Sequence, residues 1–149
     1  VDIAVRISKE SFPDNLQVIT LFRQELIAVA SPHLIATREL PFTLDALQAL
    51  PLLHDSHQHW PVFIGIQGKL PGAVFNQTTL ALDAALAGQG VALACRAFVL
   101  ADLKAGRLVQ LVDKVLIIEP HYSLVRKSLP YHRAAVEDIW QWCSKSLAL

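Results

Sequence analysis

The stretch AVFNQTTLALDAALAGQGVALAC, residues 73–95, holds one full cycle of an α/β fold. Ala73-Val74-Phe75 reads as a strand, and Asn76-Gln77-Thr78-Thr79 as a polar loop containing residues that cap helices. Leu80 to Ala87 has helical spacing, with Leu82, Ala85 and Leu86 on one face. Gly88 stops that helix, because glycine adopts the left-handed conformation without a steric penalty. Val91 to Cys95 is then continuously apolar, as expected of a strand covered on both sides.

The same alternation continues in both directions. Val1 to Ile7 is apolar and β-branched and reads as a buried strand; Leu16 to Ala30 alternates and then turns wholly apolar. Ser31-Pro32 is a helix start, since serine caps and proline suits the first helical position. Thr43 to Leu47 opens another short helix, and Pro51 to His54 a short strand. Between Trp60 and Leu70, Gly65 and Gly68 speak against a long helix. Beyond residue 95 come a helix from about Ala97 to Leu103 and a turn and strand over Gly106 to Leu111. Two extended pieces, Val115–Ile118 and Tyr122–Val125, lie on either side of Pro120. An amphipathic helix over about His132 to Ser146 brings Val136, Ile139, Trp140 and Cys143 onto one side. Strands alternating with short helices predict an α/β fold with a mainly parallel sheet.

Composition narrows the function. Of 149 residues, 53% are hydrophobic and only 17% charged, which excludes disorder as the default state. The most apolar region, Leu80 to Leu103, is interrupted by Asp83, Gly88, Gln89, Gly90, Arg96 and Asp102, so no membrane span is expected. Thirteen basic and thirteen acidic residues cancel, leaving no basic surplus with which this segment could grip nucleic acid by itself. Cys95 and Cys143 have neither metal-site nor disulfide-framework spacing and read as free thiols in a reducing cytosol. The chain has no methionine, opens on an apparent strand and carries no signal peptide, which reads as part of a longer polypeptide.

Three histidines in HDSHQHW, residues 54–60, raise the question of a metal site. Spacings of three and two match neither a helical i, i+4 pair nor a finger-type set, and no nearby glutamate offers a general base. His54, His57 and His59 are therefore read as a polar surface loop, with Trp60 tucked beneath it; a metal-dependent enzyme stays a minor alternative. No G-x-S-x-G elbow, Walker motif or G-x-G-x-x-G is present. Gly88-Gln89-Gly90 follows a helix, where a phosphate loop would follow a strand.

The loop Asn76-Gln77-Thr78-Thr79 is the better place for a ligand. It joins the carboxyl end of a strand to a helix N-terminus, where backbone N–H groups lack partners and the dipole is positive. The dipole contributes roughly 0.3–1 kcal/mol toward an anion there, up to about 2 when partly buried. A carboxylate or another small polar ligand fits such a loop. Helix capping by Asn76 or Thr78 is an equally good reading.

In order along the chain, several pieces resemble the effector-binding domain of LysR-type transcriptional regulators. They are Val1–Arg6, Glu25–Pro32, Leu52-Leu53-His54 with Trp60, and Leu82–Ala87 running into Gly88–Leu93. Leu103, Gly106–Val109, Tyr122-Ser123-Leu124 and the final amphipathic helix continue the series. The likeness is to the subgroup of activators of glycine-cleavage and β-lactamase genes. It implies a periplasmic-binding-protein type 2-like α/β fold, two lobes joined by two crossover strands, with the first lobe incomplete. Residues 31–123 would form regulatory lobe II, and residues 1–30 plus 124–149 a remnant of lobe I, with crossings near Ala30 and Leu124.

The resemblance also implies a small-molecule effector in the inter-lobe cleft, controlling DNA binding through an N-terminal winged helix-turn-helix that this sequence lacks. It implies a cytoplasmic homodimer or tetramer, with no cofactor, no membrane and no catalysis. Carried over by position, the ligand contacts fall on Asn76, Gln77 and Thr78, with Tyr122 on the return strand. Arg6 is a further candidate for an acidic effector, or equally for an ion pair within the fold. A solute-binding protein of a transporter is the alternative built on the same fold.

Overall fold

A computed structural model describes residues 1–147. By packing, the chain divides into two units. The first holds residues 1–24 and the chain from Ile117 onward, and the second holds Glu25–Leu116. The chain passes between them in two long strands, β2 (Leu16–Ala30) and β7 (Leu116–Lys127). These divisions fall earlier in both strands than Ala30 and Leu124, where the resemblance put the crossings.

In the second unit, the inner half of β2 is followed by α1 (Pro32–Ile35), α2 (Leu44–Gln48), β3 (Leu52–His54) and α3 (Trp60–Ile64). Then come β4 (Ala73–Val74), α4 (Thr78–Leu86), β5 (Val91–Cys95), α5 (Arg96–Lys104) and β6 (Val109–Gln110). The strand order is β2-β5-β3-β4, with β6 also on β2. β3 runs parallel to β4 and β5, whereas β2 is antiparallel to both β5 and β6. The sheet is thus mixed, a correction to the mainly parallel sheet expected from the strand–helix alternation. Periodicity identifies strands but carries no sign for their direction.

Both faces of this sheet are covered, which explains the unbroken apolar runs. Ala28 and Ala30 of β2 join Leu52, Val91 and Leu93 on one face, packed by Ile35, Leu47, Trp60 and Phe63 from α1, α2 and α3. Their neighbours Ile27, Val29, Leu53, Ala92 and Ala94 point the other way, onto Ala81, Ala84, Ala85 and Val99 of α4 and α5. Alanines on both partners let α4 lie close to the sheet. Ala81, Ala84 and Ala85 are its buried residues; Leu82 and Leu86, expected as the inner face, are only partly buried.

Local signals in this unit behave as their chemistry dictates. Ser31 accepts a hydrogen bond from the His33 N–H at 3.2 Å with Pro32 at the first helical position, and Thr43 accepts from the Ala46 N–H at 3.1 Å. Gly65 (φ 84°) ends α3 after five residues, and Gly88 (φ 78°) follows α4. A Cβ on Gly90 would lie 2.6 Å from the Pro51 carbonyl, so this glycine allows β3 and β5 to approach.

The first unit contains β1 (Ile3–Ile7), paired antiparallel with β7 from Ile3↔Arg126 to Ile7↔Tyr122, and the outer half of β2 on the other side of β7. Helix α6 (Ala134–Ser146) adds Trp140 and Cys143 to a core with Leu21 and Leu124. Arg126 is buried here. It donates to Gln17 Oε1 and Glu137 Oε2, each at 2.8 Å, and its guanidinium lies 4.1 Å from the centre of the Trp140 ring.

Three expectations are corrected in this unit. β1 has a partner on one side only, and Val5 and Ile7 are about half exposed, so it is an edge strand and not a buried one. The extended pieces flanking Pro120 are one strand. Pro120 precedes the residues paired with β1, and its carbonyl accepts from Gln24 Nε2 at 2.8 Å. Ile139 is exposed, because Val136, Trp140 and Cys143 centre the buried stripe about 70° away at 100° per residue.

Candidate functional site

In the second unit, parallel β3 and β4 end side by side. The register Leu53↔Ala73 and His54↔Val74 is extended by a hydrogen bond from the Phe75 N–H to the His54 carbonyl. The next residues, Asp55 after β3 and Asn76 after β4, therefore emerge together at the carboxyl ends, where open α/β sheets bind ligands. Helix α4 begins two residues beyond Asn76.

Asn76 and Gln77 are exposed at this end. Gln77 is the N-cap residue in extended conformation (φ −137°, ψ 142°), and its side chain makes no capping bond. Thr78, half-buried, is the first helical residue and donates from Oγ1 to Asp55 Oδ2 at 2.7 Å. The other Asp55 oxygen accepts from the His57 N–H at 2.9 Å. Neither Asn76 nor Thr78 caps the helix by its side chain, so the capping alternative is not what these residues do. The anion at the head of α4 is supplied from the β3–α3 loop. Asp55 was not among the sequence candidates. Its position straight after a strand shared with the site was the available signal.

HDSHQHW divides into parts with different fates. His54 is 6% exposed within β3, and its Nε2 lies 3.1 Å from the Pro71 carbonyl, to which it can only donate. It is a core residue, which corrects its assignment to a solvated loop. Trp60 lies beneath the loop as expected, 1% exposed, donating from Nε1 to the Leu53 carbonyl at 2.8 Å. His57 and His59 stack with ring centres 5.6 Å apart. Burial, then the neighbouring His57, push the His59 pKa down, against an opposing pull from Asp55. Among the described residues, no three histidine, cysteine or acidic side chains are grouped so as to hold a metal ion.

Tyr122 and Arg6 belong to the first unit. Tyr122 is half-buried, stacked on Phe22 at 4.8 Å between ring centres. Arg6 is exposed and lines a shallow hollow of about 380 Å³ along β1, with Phe12 and Leu16. Arg6 sits opposite Ser123 and Ile7 opposite Tyr122, so strand alternation turns Arg6 and Tyr122 to opposite faces. Cys95 and Cys143 are free and buried, and burial raises the Cys95 pKa.

Two α/β units linked by two long strands define a periplasmic-binding-protein type 2-like fold. Solved neighbours share it: the effector domain of the transcriptional regulator AmpR of Pseudomonas aeruginosa superposes with a TM-score of 0.67 at 21% identity, covering 97% of this chain and 71% of that one. The AmpR effector binding domain from Citrobacter freundii gives 0.68 at 21% identity, covering 99% and 74%. In sequence, the glycine cleavage system transcriptional activator of Escherichia coli K12 is 32% identical over 149 residues, 95% of this chain and 48% of that protein. The chain thus spans about half the length of that curated relative. The family described as the LysR substrate binding domain matches residues 1–148, and the chain belongs to it. Its relatives are transcriptional regulators, and the transporter and metalloenzyme alternatives gain no support from them. Among the described residues, no helix is long and apolar enough to cross a membrane.

Proposed function

We propose that this effector-sensing domain takes a small polar molecule at the head of α4, with Thr78 as its central contact and Asn76 and Gln77 beside it. The observation that supports this is the joint emergence of Asp55 and Asn76 at the ends of parallel β3 and β4, with Thr78 linked to Asp55 at 2.7 Å. Tyr122, in the first unit, is kept as a further candidate contact in its own right; the first unit is read as part of regulatory lobe I and the second as lobe II. Arg6, facing away from Tyr122, is assigned to a separate contact. The role we read is sensing: the groups gathered here are neutral donors and acceptors around one carboxylate.

In the intact regulator, effector occupancy controls DNA binding through a helix-turn-helix domain, in a cytoplasmic homodimer or tetramer. Coupling of this kind amounts to about 1–3 kcal/mol. The test is a reporter assay with the full-length regulator carrying Thr78→Ala and Tyr122→Phe. Loss of the effector response, with unchanged circular dichroism and thermal midpoint, is expected. An unchanged response removes these residues from the site.

A further inference from the structure

The sheet of the first unit has one apolar and one polar face. Leu21 of β2 and Leu124 of β7 point into the core under α6, so strand alternation turns Thr20, His121 and Ser123 to the other face. Arg6, opposite Ser123 in register, shares that face, and Tyr122 does not. On the polar face lies a hollow of about 500 Å³, walled by Ser8, Lys9, Thr20, Glu119, His121 and Ser123 and contained within the first unit.

Two polar groups in its wall lack partners. Ser123 is only 7% exposed, yet among the described residues its hydroxyl has no hydrogen bond. His121 Nε2 lies 3.2 Å from Glu119 Oε1, and because a carboxylate can only accept, Nε2 carries the proton. Nδ1 of the same ring is buried and unpaired. Buried polar groups are nearly always paired, so two unpaired ones side by side mark where a group from outside the chain fits.

Charge gives the class of that group. Among the described residues, Lys9 in the wall and Arg6 along the same face form no ion pair. Glu119 is engaged by His121 and otherwise turned to water, with its side chain 69% exposed. Ser8 donates to the Glu10 carbonyl at 3.3 Å, which leaves Ser123 and Thr20 with hydroxyl protons to give. Free hydroxyl donors beside an unpaired ammonium group suit a negatively charged acceptor.

We infer that this hollow is a ligand site independent of the head of α4, and that it takes a small oxyanion, a carboxylate or a phosphate. Lys9 supplies the charge, and Ser123 and Thr20 the hydrogen bonds. A turn of the His121 ring toward the hollow gives Nδ1 the partner it lacks. Neutral, that nitrogen accepts from a protonated ligand oxygen; protonated, it donates to an ionised one.

The experiment is an NMR titration of the ¹⁵N-labelled protein with sodium phosphate and with sodium acetate, at fixed pH and ionic strength. Amides of residues 8, 9, 20 and 121–123 are expected to move saturably, and those of residues 76–79 to stay in place. Saturation by acetate alone identifies a carboxylate and by phosphate alone a phosphate; either upholds the site. Lys9→Gln and Ser123→Ala are each expected to raise the half-saturating concentration roughly tenfold, as loss of a hydrogen bond to a charged group does. Glu119→Gln removes the opposing charge and is expected to lower it by roughly twofold. Lys9 is exposed, so its replacement leaves the fold intact. No saturable shift at these residues with either anion overturns the site. An unchanged affinity in Lys9→Gln, or a weaker one in Glu119→Gln, overturns the oxyanion class.

Discussion

Replacing Trp60 with phenylalanine tests how the β3–α3 loop, and with it Asp55, is held. Trp60 is almost wholly buried, donates to the Leu53 carbonyl at 2.8 Å and meets Phe63 edge-on with ring centres 5.7 Å apart. The substitution keeps an aromatic ring but deletes the indole N–H, depriving a buried carbonyl of a donor at a cost of about 1–3 kcal/mol. The smaller ring also leaves a void of about 40 Å³, worth roughly 1 kcal/mol at about 24 cal/mol per Å³. The expected loss is therefore about 2–4 kcal/mol. Urea unfolding followed by far-UV circular dichroism measures it without relying on tryptophan emission. Trp142→Phe is the matched control, because Trp142 is 62% exposed and its change is expected to stay within about 0.5 kcal/mol. A Trp60→Phe loss no larger than that of the control would refute the reasoning.

Gly90→Ala places a methyl group 2.6 Å from the Pro51 carbonyl and is expected to destabilise strongly, whereas Gly88→Ala meets open space and costs about 1–2 kcal/mol from its left-handed backbone alone. Thermal melts of the two variants rank them, and the reverse order would contradict the close approach of β3 and β5. Arg126→Met removes two hydrogen bonds and the contact with Trp140, and about 1–3 kcal/mol of stability is expected to go with them in urea unfolding. In the same variant the carboxyl of Glu137, held below the usual range by Gln141 first and Arg126 second, is expected to move partway back up in an NMR titration. For His59, a folded-state pKa below its ordinary 6.5 means that the unfolded chain takes up the proton first. The stability this group contributes is complete above about pH 6.5 and lost as pH falls through the lower folded value. His59→Asn is therefore expected to flatten part of the drop in urea midpoint between pH 7.5 and 5.5; an identical pH dependence would show that His59 carries none of it.

How far this fold is legible in the sequence depends on the range of the physics involved. Capping by Ser31 and Thr43 and termination at Gly65 and Gly88 depend on neighbours a few residues away, and they were legible. The unbroken apolar run Leu26–Ala30 pointed to β2, but it could not give the strand's direction relative to β5. Pro120 looked like a break because the Gln24 side chain that binds its carbonyl is 96 residues away. The loop at residues 76–78 was legible from its place between a strand and a helix. Its chemistry was not, since the polarity of Thr78 is set by Asp55, 23 residues earlier. His54 shows the converse: a histidine in a polar run became a core residue once β3 was paired on both sides.

The account turns on Thr78 meeting the molecule that this domain senses. A crystal structure of the protein with its effector bound tests that most directly. A polar atom of the effector within hydrogen-bond reach of Thr78 Oγ1 is the predicted result. A metabolite seated wholly away from residues 76–78 would contradict it.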